Sequence, residues 1–381
     1  MQKYKMCDII EKNKKIFIGG SMKFTIFISE KFDINGTPID STPITEGLIN
    51  STYKISTDSG KDYILQKINT NVFKNPDELM QNIENVCKYI SARVDDPERE
   101  AMTVIRTKDG KLWYRAEDGG CWRVYKFIEG AKSIQAAENE MSLYYAAKAF
   151  GKFQRLLGDY DASTLFETIP NFHNTVSRFA DFKAAVEHAS PERRAECEKE
   201  IEQIYALEPY AHMIVDGLAN GKLPLRVTHN DTKLNNVMLD NVTGEGVCVI
   251  DLDTVMPGSL LYDFGDGVRF AACNSAEDER DLSKVYHRLD LFEQYTHGFL
   301  DGIGANITEN ERDMLPVSVV ILTYELVLRF LGDYLNGDIY FRVAEDRPKH
   351  NLERGRAQLK LTLDTISKLD EMKKIVDKYS K

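Results

Sequence analysis

The tightest constraint on this chain is one strand–loop–strand stretch in its second half. Val227-Thr228-His229-Asn230-Asp231-Thr232-Lys233-Leu234-Asn235-Asn236-Val237-Met238-Leu239 contains H-x-D-x-x-x-x-N, and Val249-Ile250-Asp251 ends fifteen residues after Asn236. Apolar runs before His229 and after Asn236 predict strands. Asn241-Val242-Thr243-Gly244 supplies the turn that lets two short strands pair. That pairing predicts Asn236 and Asp251 at neighbouring ends of one hairpin-like unit.

Phosphoryl transfer explains each residue type. An Asp beside an acceptor hydroxyl orients it and takes its proton. An Asn and a second Asp hold Mg2+ against a triphosphate, where charge must be neutralised. Asp231 is therefore the candidate base, and Asn236 and Asp251 are the candidate metal ligands. The ordinary alternatives are a loop carboxylate for Asp231 and turn or strand-end capping for the other two. His229 reads as a brace for the turn. Asp253 either supports the site or caps the next turn. H-x-D-x-x-x-x-N alone arises by chance in roughly one chain in thirty, so its weight comes from the flanking strands.

The rest of the chain divides at a change of pattern. Residues 1–21 read as an appendage. Alternation in Met22-Lys23-Phe24-Thr25-Ile26-Phe27 predicts a strand, and residues 22–128 read mainly as strands. Gly47 to Ile55 and Tyr63-Ile64-Leu65 flank a hairpin turn at Asp58-Ser59-Gly60. One helix follows, with Asn75 as N-cap, Pro76 at the first helical position, and Leu79, Met80, Ile83, Val86, Cys87 and Ile90 at helical spacing. Met102–Arg106, Leu112–Arg115 and Cys121–Ile128 are further strands. After Glu129-Gly130 helical patterns dominate residues 129–381, from a helix over 137–157 to an amphipathic one from about 352 to 379. The expected fold class is α+β: a small antiparallel sheet lobe with one helix, a hinge near 126–132, and a larger, mainly helical lobe. ATP-dependent phosphotransferases commonly use this plan, but a plan does not prove function.

The sheet lobe offers fewer phosphate signals. It has no G-x-x-x-x-G-K-[ST] and no G-x-G-x-x-G. A tight turn at Gly47 would expose backbone N–H groups, with Asn50 and Ser51, to phosphate oxygens; the alternative is an ordinary hairpin. Lys67 either reaches the phosphates or is a solvated strand-end lysine, and Gln66 points to the other face. A Glu on the following helix would anchor Lys67, with Glu84 better placed than Glu78.

Composition narrows the partners. There are 49 basic and 60 acidic residues, a net charge of −11, which argues against a broad nucleic-acid footprint. With 43% hydrophobic and 29% charged residues the chain reads as an ordinary globular protein. No run of about 18 apolar residues is present, so no membrane span is expected. The six cysteines form no CxxC pair, which reads as reduced thiols in a cytoplasmic protein. The expected partners are small molecules, with the chain a monomer or weak oligomer.

The blocks His229-Asn230-Asp231-Thr232-Lys233-Leu234-Asn235-Asn236, Val249-Ile250-Asp251-Leu252-Asp253-Thr254-Val255-Met256-Pro257-Gly258 and Tyr262-Asp263-Phe264-Gly265-Asp266 together resemble the aminoglycoside phosphotransferase/choline kinase superfamily. Within it the wording is similar to the N-acetylhexosamine 1-kinases. Gly47-Leu48-Ile49-Asn50-Ser51-Thr52-Tyr53, Ile64-Leu65-Gln66-Lys67-Ile68-Asn69 and the stretch from Arg329 to Tyr340-Phe341 agree, and the resemblance covers about residues 30–370. It implies a protein-kinase-like bilobal fold, ATP with Mg2+, and a GlcNAc or GalNAc acceptor phosphorylated at C1. It also implies Asp231 as base, Asn236 and Asp251 as metal ligands, and Arg329 and Tyr340 in the sugar site. Val124 to Ile128, with Tyr125 and Phe127, would be the hinge whose backbone reads the adenine edge. Residues 1–21 have no counterpart. Gly337 predicts that the helix carrying Arg329 ends and the chain turns back toward it. The alternatives are a salt bridge from Arg329 to Glu325 and packing of Tyr340 under its loop.

Two other functions compete. A cationic acceptor, choline-like or an aminoglycoside, needs carboxylates or an aromatic cage, and Glu325, Asp333 and Asp338 are the acids at hand. A nucleotide-binding module without catalysis would have lost one of Asp231, Asn236 and Asp251, and all three stand.

Overall fold

The computed structural model describes residues 22–45, 50–136 and 140–380. The appendage expected at 1–21 and the phosphate turn expected at Gly47 lie outside the described residues. The chain divides into two compact units. The first runs to Ala131 and adds Leu165–Pro170 and Cys248–Val255; the second holds Lys132–Thr164, Asn171–Val247 and Met256–Lys381. A cut at residue 128 assigns those two later segments to the helical unit, whereas by contact they belong with the sheet.

In the first unit the strands β1 (Pro38–Ile44), β2 (Ser51–Thr57), β3 (Asp62–Ile68), β4 (Val104–Ile105), β5 (Tyr114–Arg115) and β6 (Cys121–Lys126) form one sheet in the order β1-β2-β3-β6-β4, with β5 also on β6. All pairs are antiparallel. Alternation sorts the side chains. Tyr53, Ile55, Tyr63, Leu65, Trp122 and Val124 share a buried cluster with Ile28 and Phe32. The opposite positions, Gln66, Arg123 and Tyr125, face the other way. A helix, α2 (Pro76–Ser91), begins as the sequence predicts: the Asn75 side chain accepts from the Asp77 and Glu78 amides, and Pro76 opens the first turn.

One element differs in kind from expectation. Met22–Ser29 is a helix, α1, and not a strand. Phe24, Ile28 and Phe32 recur every four residues, which a helix stacks on one face. Ile28 and Phe32 are fully buried under the sheet, and Phe24 meets the Trp122 ring edge-on at 5.9 Å. Burying that stripe outweighs the short alternation.

The second unit is mainly helical. Helix α3 (Glu140–Leu156) and helix α6 (Leu289–Ile303, numbered in chain order with those that follow) approach through glycine. A Cβ at Gly298 would lie 2.2 Å from the Tyr144 carbonyl oxygen, and one at Gly151 would lie 2.2 Å from that of Phe299. Between them come α4 (Thr175–His188), four short strands and α5 (Leu260–Ala271). Strand β7 (Arg226–Thr228) pairs antiparallel with Met256–Gly258. The two strands expected around Asn241–Gly244 are Val237–Asp240 and Gly246–Val249, and the turn between them is closed by the Asp240 amide donating to Glu245 O at 2.8 Å. Helix α7 (Glu309–Leu335) is the spine of the unit. Its length and composition match a membrane span, but its most apolar stretch is 78% buried inside the protein. The single terminal helix expected from 352 to 379 is two, α8 (His350–Ser367) and α9 (Leu369–Tyr379). They break at Lys368, whose Nζ donates to His287 O and to Asp364, each at 2.7 Å.

Candidate active site

In the helical unit, β7 delivers the chain into a loop that is moulded onto the first turns of α5. The Asp263 carboxylate accepts the amides of His229 (3.0 Å) and Asn230 (2.8 Å), and Gln154 Nε2 donates to it at 2.6 Å. One turn on, Asp266 accepts the Thr232 amide at 3.1 Å and pairs with Arg269 at 2.7 Å. Thr232 Oγ1 donates to Asp263 O. These bonds hold Asn230 in the left-handed region at φ 66°, a conformation Asn tolerates better than most residues. Burial pushes the Asp263 carboxyl up, only partly offset by its donors. Burial also works against the Asp266 charge, but Arg269 holds that carboxyl below the usual range.

His229 is a brace. Its ring is fully buried, edge-on to Phe150 and Phe153, and Nδ1 accepts the Asp231 amide at 3.3 Å. Asp231 is thereby aimed by backbone bonds on both sides. Lys233 Nζ lies 2.6 Å from its Oδ1. Burial works against the Lys233 charge, and the Asp231 carboxylate more than restores it, so the ammonium holds its proton above the usual range. Asn236 Nδ2 donates to the Asp231 carbonyl at 2.7 Å and to its carboxylate at 3.2 Å. With its N–H side committed to Asp231, Asn236 has its amide oxygen left to offer a cation.

The same unit carries the acceptor candidates. Helix α7 ends at Leu335, and Gly337 (φ 95°) and Asp338 (φ 59°) reverse the chain. The Asp333 carboxylate then accepts three amides, Ile339 (3.0 Å), Tyr340 (2.8 Å) and Phe341 (2.8 Å), together with Asn351 Nδ2 (3.0 Å). That clamp brings Arg329 to 6.0 Å from the Tyr340 ring centroid and 5.3 Å from that of Phe341. The reversal expected at Gly337 is therefore present. Arg329 also pairs with Glu325, at 3.9 Å, and Tyr340 is 43% exposed rather than packed under the loop.

In the sheet unit, Asp251 sits in the left-handed region (φ 61°, ψ 57°) ahead of the turn Leu252–Thr254. Strain of this kind, worth about 1–3 kcal/mol, concentrates at functional positions. Two residues later Asp253 pairs with Arg123 at 2.6 Å, and Asn50 Nδ2 donates to it at 2.6 Å. Arg123 also donates to Gln66 Oε1 at 2.8 and 3.0 Å, and its side chain is 1% exposed. Burial alone would weaken the Arg123 cation; Asp253 holds it charged. The Asn50 oxygen accepts the Asn69 amide at 3.0 Å.

Two expectations need correction here. Lys67 does not pair with Glu84. It lies on the Trp122 face of the sheet and meets Asp118 at 3.3 Å, while Glu84 pairs with Arg106 and Lys88. Gln66 does face the other way, and that is the side carrying Arg123 and Asp253. In the expected hinge strand the Phe127 amide donates to Asp62 O at 3.2 Å, and the Tyr125 side chain is buried beside Arg123. Asn50 acts here as a strut between Asp253 and Asn69 rather than through a free amide. Ser51 opens β2 opposite Lys67.

Comparison with known proteins gives the family and the fold. A family model described as the phosphotransferase enzyme family (APH) matches residues 40–294. The chain belongs to that family. Solved structures give the same fold. An aminoglycoside phosphotransferase from Alicyclobacillus acidocaldarius has a TM-score of 0.62 at 10% identity, covering 92% of this chain and 96% of its own. A choline kinase from Cryptosporidium parvum scores 0.55 at 15% identity over 94% and 98%. An amicoumacin kinase in complex with AMP-PNP and Ca2+ scores 0.55 at 13% identity over 97% and 96%. The protein is thus a member of the phosphotransferase enzyme family with a kinase-like fold. In this phosphotransferase nothing in the sequence marks Gln154 as a donor to Asp263 or Arg123 as the partner of Asp253. Asp263 and Asp266 stand inside a recognisable block, and their spacing of three is the only signal that both face the loop.

Proposed function

We propose that this phosphotransferase transfers the γ-phosphoryl group of ATP to the anomeric C1 hydroxyl of an N-acetylhexosamine. The observation that carries this choice is that the acids a cationic acceptor would need are already engaged. Glu325 meets His173 at 2.9 Å, Asp333 is filled by three amides and Asn351, and Asp338 pairs with Arg193 at 2.6 Å and accepts from Asn351 at 2.9 Å. Beside them the Arg329 guanidinium already lies over the Tyr340 and Phe341 rings, at 6.0 and 5.3 Å from their centroids, so a cationic acceptor would meet a like charge there while a neutral, hydroxyl-rich ring would not. The sequence blocks around Arg329 to Phe341 point the same way.

In this reading the C1 hydroxyl donates toward Asp231, which takes its proton as the oxygen–phosphorus bond forms and the bond to the ADP leaving group breaks. An anomeric hydroxyl is more acidic than other sugar hydroxyls, so a carboxylate is an adequate base. Lys233 places a positive charge against Asp231 and the transferring group. ATP as donor agrees with the AMP-PNP seen in the similar amicoumacin kinase. Asn236 and Asp251 offer hard oxygen ligands, and one carboxylate plus one amide oxygen alongside phosphate oxygens suits Mg2+. When bound, Mg2+ would neutralise charge on the phosphates. Of the donor contacts expected in the sheet unit, the proposal keeps the backbone amides of the turn at Gly47 and assigns no phosphate role to the side chains of Lys67 and of Ser51, its cross-strand partner.

Phosphorus NMR with Mg-ATP and separate GlcNAc, GalNAc, choline and kanamycin samples tests it. A sugar 1-phosphate resonance coupled to the anomeric proton is the expected result. Faster phosphorylation of choline or kanamycin than of either amino sugar would overturn the acceptor and remove Arg329 and Tyr340 from the sugar site.

A further inference from the structure

The helical unit buries an ion pair beside the catalytic loop that the reaction described above leaves without a task. His173 lies just before Asn174, the N-cap of α4. Its Nδ1 is 2.9 Å from Glu325 Oε2, and its Nε2 is 3.3 Å from the Asn230 carbonyl oxygen. A carbonyl oxygen only accepts, so Nε2 carries a proton. An ionised Glu325 also only accepts, so Nδ1 carries one too. The two contacts together require an imidazolium.

The surroundings favour that state over a neutral ring facing a protonated acid. From α7 the ring faces Glu325 and, one turn on, Arg329, which lies 3.9 Å from the same carboxylate. From α4 Arg178 adds positive charge toward Glu325. From α5 come Tyr262, whose ring is 5.1 Å from that of His173, and Asp266, itself paired with Arg269. Phe172 packs edge-on at 4.6 Å. Asp231 and Lys233 stand beyond Asn230 in the loop. Burial on its own would lower the His173 pKa, but the Glu325 charge and hydrogen bond raise it above the ordinary histidine value. Burial likewise works against the Glu325 carboxylate, and His173 and then Arg329 bring it below its ordinary value.

The carbonyl that His173 grips belongs to the peptide joining Asn230 to Asp231. The N–H of that same peptide donates to His229 Nδ1. One peptide plane is therefore held at its oxygen by His173 and at its nitrogen by His229, directly ahead of the candidate base. Its tilt fixes ψ of Asn230 and φ of Asp231, and so the direction of the Asp231 side chain.

We propose that His173 is a positioning residue for phosphoryl transfer: as an imidazolium fixed by Glu325, it holds the Asn230–Asp231 peptide and keeps Asp231 aimed. The proposal rests on the reading of Asp231 as base. Its sign with pH follows from the proton count. The grip is complete while the ring is doubly protonated and is lost as pH rises through the His173 pKa, which lies above the free-histidine value of ~6.5.

Long-range proton–nitrogen NMR on the full 15N-labelled chain tests this without any acceptor. His173 is assigned with His173→Gln. At pH 6, below the free-histidine value of ~6.5, both ring nitrogens of His173 are expected to be protonated, and the Asp231 backbone amide is expected to shift with the same midpoint as the ring. In His173→Gln, whose amide donates at every pH, that shift of Asp231 disappears. Glu325→Gln moves the His173 midpoint to lower pH. With an acceptor, wild-type kcat falls over the same pH range while acceptor KM stays flat, and the alkaline fall moves with Glu325→Gln. The loss in His173→Ala at pH 7 is expected to be on the order of tenfold or more in kcat. A ring with one unprotonated nitrogen at pH 6, or an Asp231 amide that ignores its titration, overturns the proposal. A protein that phosphorylates none of the acceptors while both NMR signatures hold leaves His173 gripping the loop and instead indicts the choice of acceptor.

Discussion

The Arg123–Asp253 pair makes a prediction with a large and local readout. The two side chains are 1% and 5% exposed, 2.6 Å apart. Arg123→Met keeps most of the volume and removes the charge, leaving Asp253 buried with only Asn50 to answer it. Breaking one partner of a buried pair costs about 3–5 kcal/mol, because the surviving charge is uncompensated. Replacing both partners costs far less, so adding Asp253→Asn to Arg123→Met should restore much of the loss. The chain has two tryptophans, Trp113 and Trp122, and both lie in the sheet unit. Intrinsic fluorescence during urea unfolding therefore reports the unit that holds the pair. With a slope of about 1–3 kcal/mol per molar urea, Arg123→Met should lower the fluorescence midpoint by at least about 1 M. A drop below about 0.3 M, or a double variant less stable than Arg123→Met alone, would show that the pair does not carry the charge balance argued here.

Four further outcomes follow from named contacts. Asp231→Asn should abolish turnover while nucleotide binding, followed by calorimetry, is retained; more than a small residual rate would remove Asp231 from the base role. Lys233→Met leaves the fold intact and should lower kcat on the order of tenfold or more, since a charge-assisted contact beside the transferring group is lost; an unchanged kcat would place Lys233 outside the chemistry. Asp333→Ala frees the amides of Ile339, Tyr340 and Phe341 and should raise acceptor KM with little change in ATP KM; equal rises in both would mean that the clamp serves the whole unit rather than the acceptor loop. His287 is 2% exposed, and neither ring nitrogen has a hydrogen-bond partner among the described residues. Burial, with Lys368 nearby, pushes its pKa down to about 4. Its folded value lies below the unfolded ~6.5, so stability is unaffected above that pH and is lost as pH falls toward 4, up to about 3 kcal/mol. Circular dichroism of His287→Leu should show a shallower loss of stability between those pH values, and an unchanged slope would sink the assignment.

What could be read from the sequence was what lies close along it. The motif sets Asp231 and Asn236 in one short loop, and the bonds between them span five residues. Asn75 and Pro76 announce α2 because a cap acts on the next few amides. Arg329 and Tyr340 come together because Gly337 marks the reversal between them. What could not be read depends on register between distant strands. Gln66 meets Arg123 because β3 pairs with β6 in one particular alignment, and no local pattern fixes that alignment. The Lys67 expectation fails for a linked reason. Alternation does say that Gln66 and Lys67 face opposite ways, but not which face is covered. Helix α1 decides that by laying Ile28 and Phe32 over the Trp122 side, and its six-residue alternation suggests a strand. Once α1 is a helix, Lys67 falls on the covered face beside Trp122, and Gln66 falls with Arg123 and Asp253. His173 stays hidden for the same physical reason: its partners, at residues 230 and 325, are brought to it only by the packing of α4, α5 and α7.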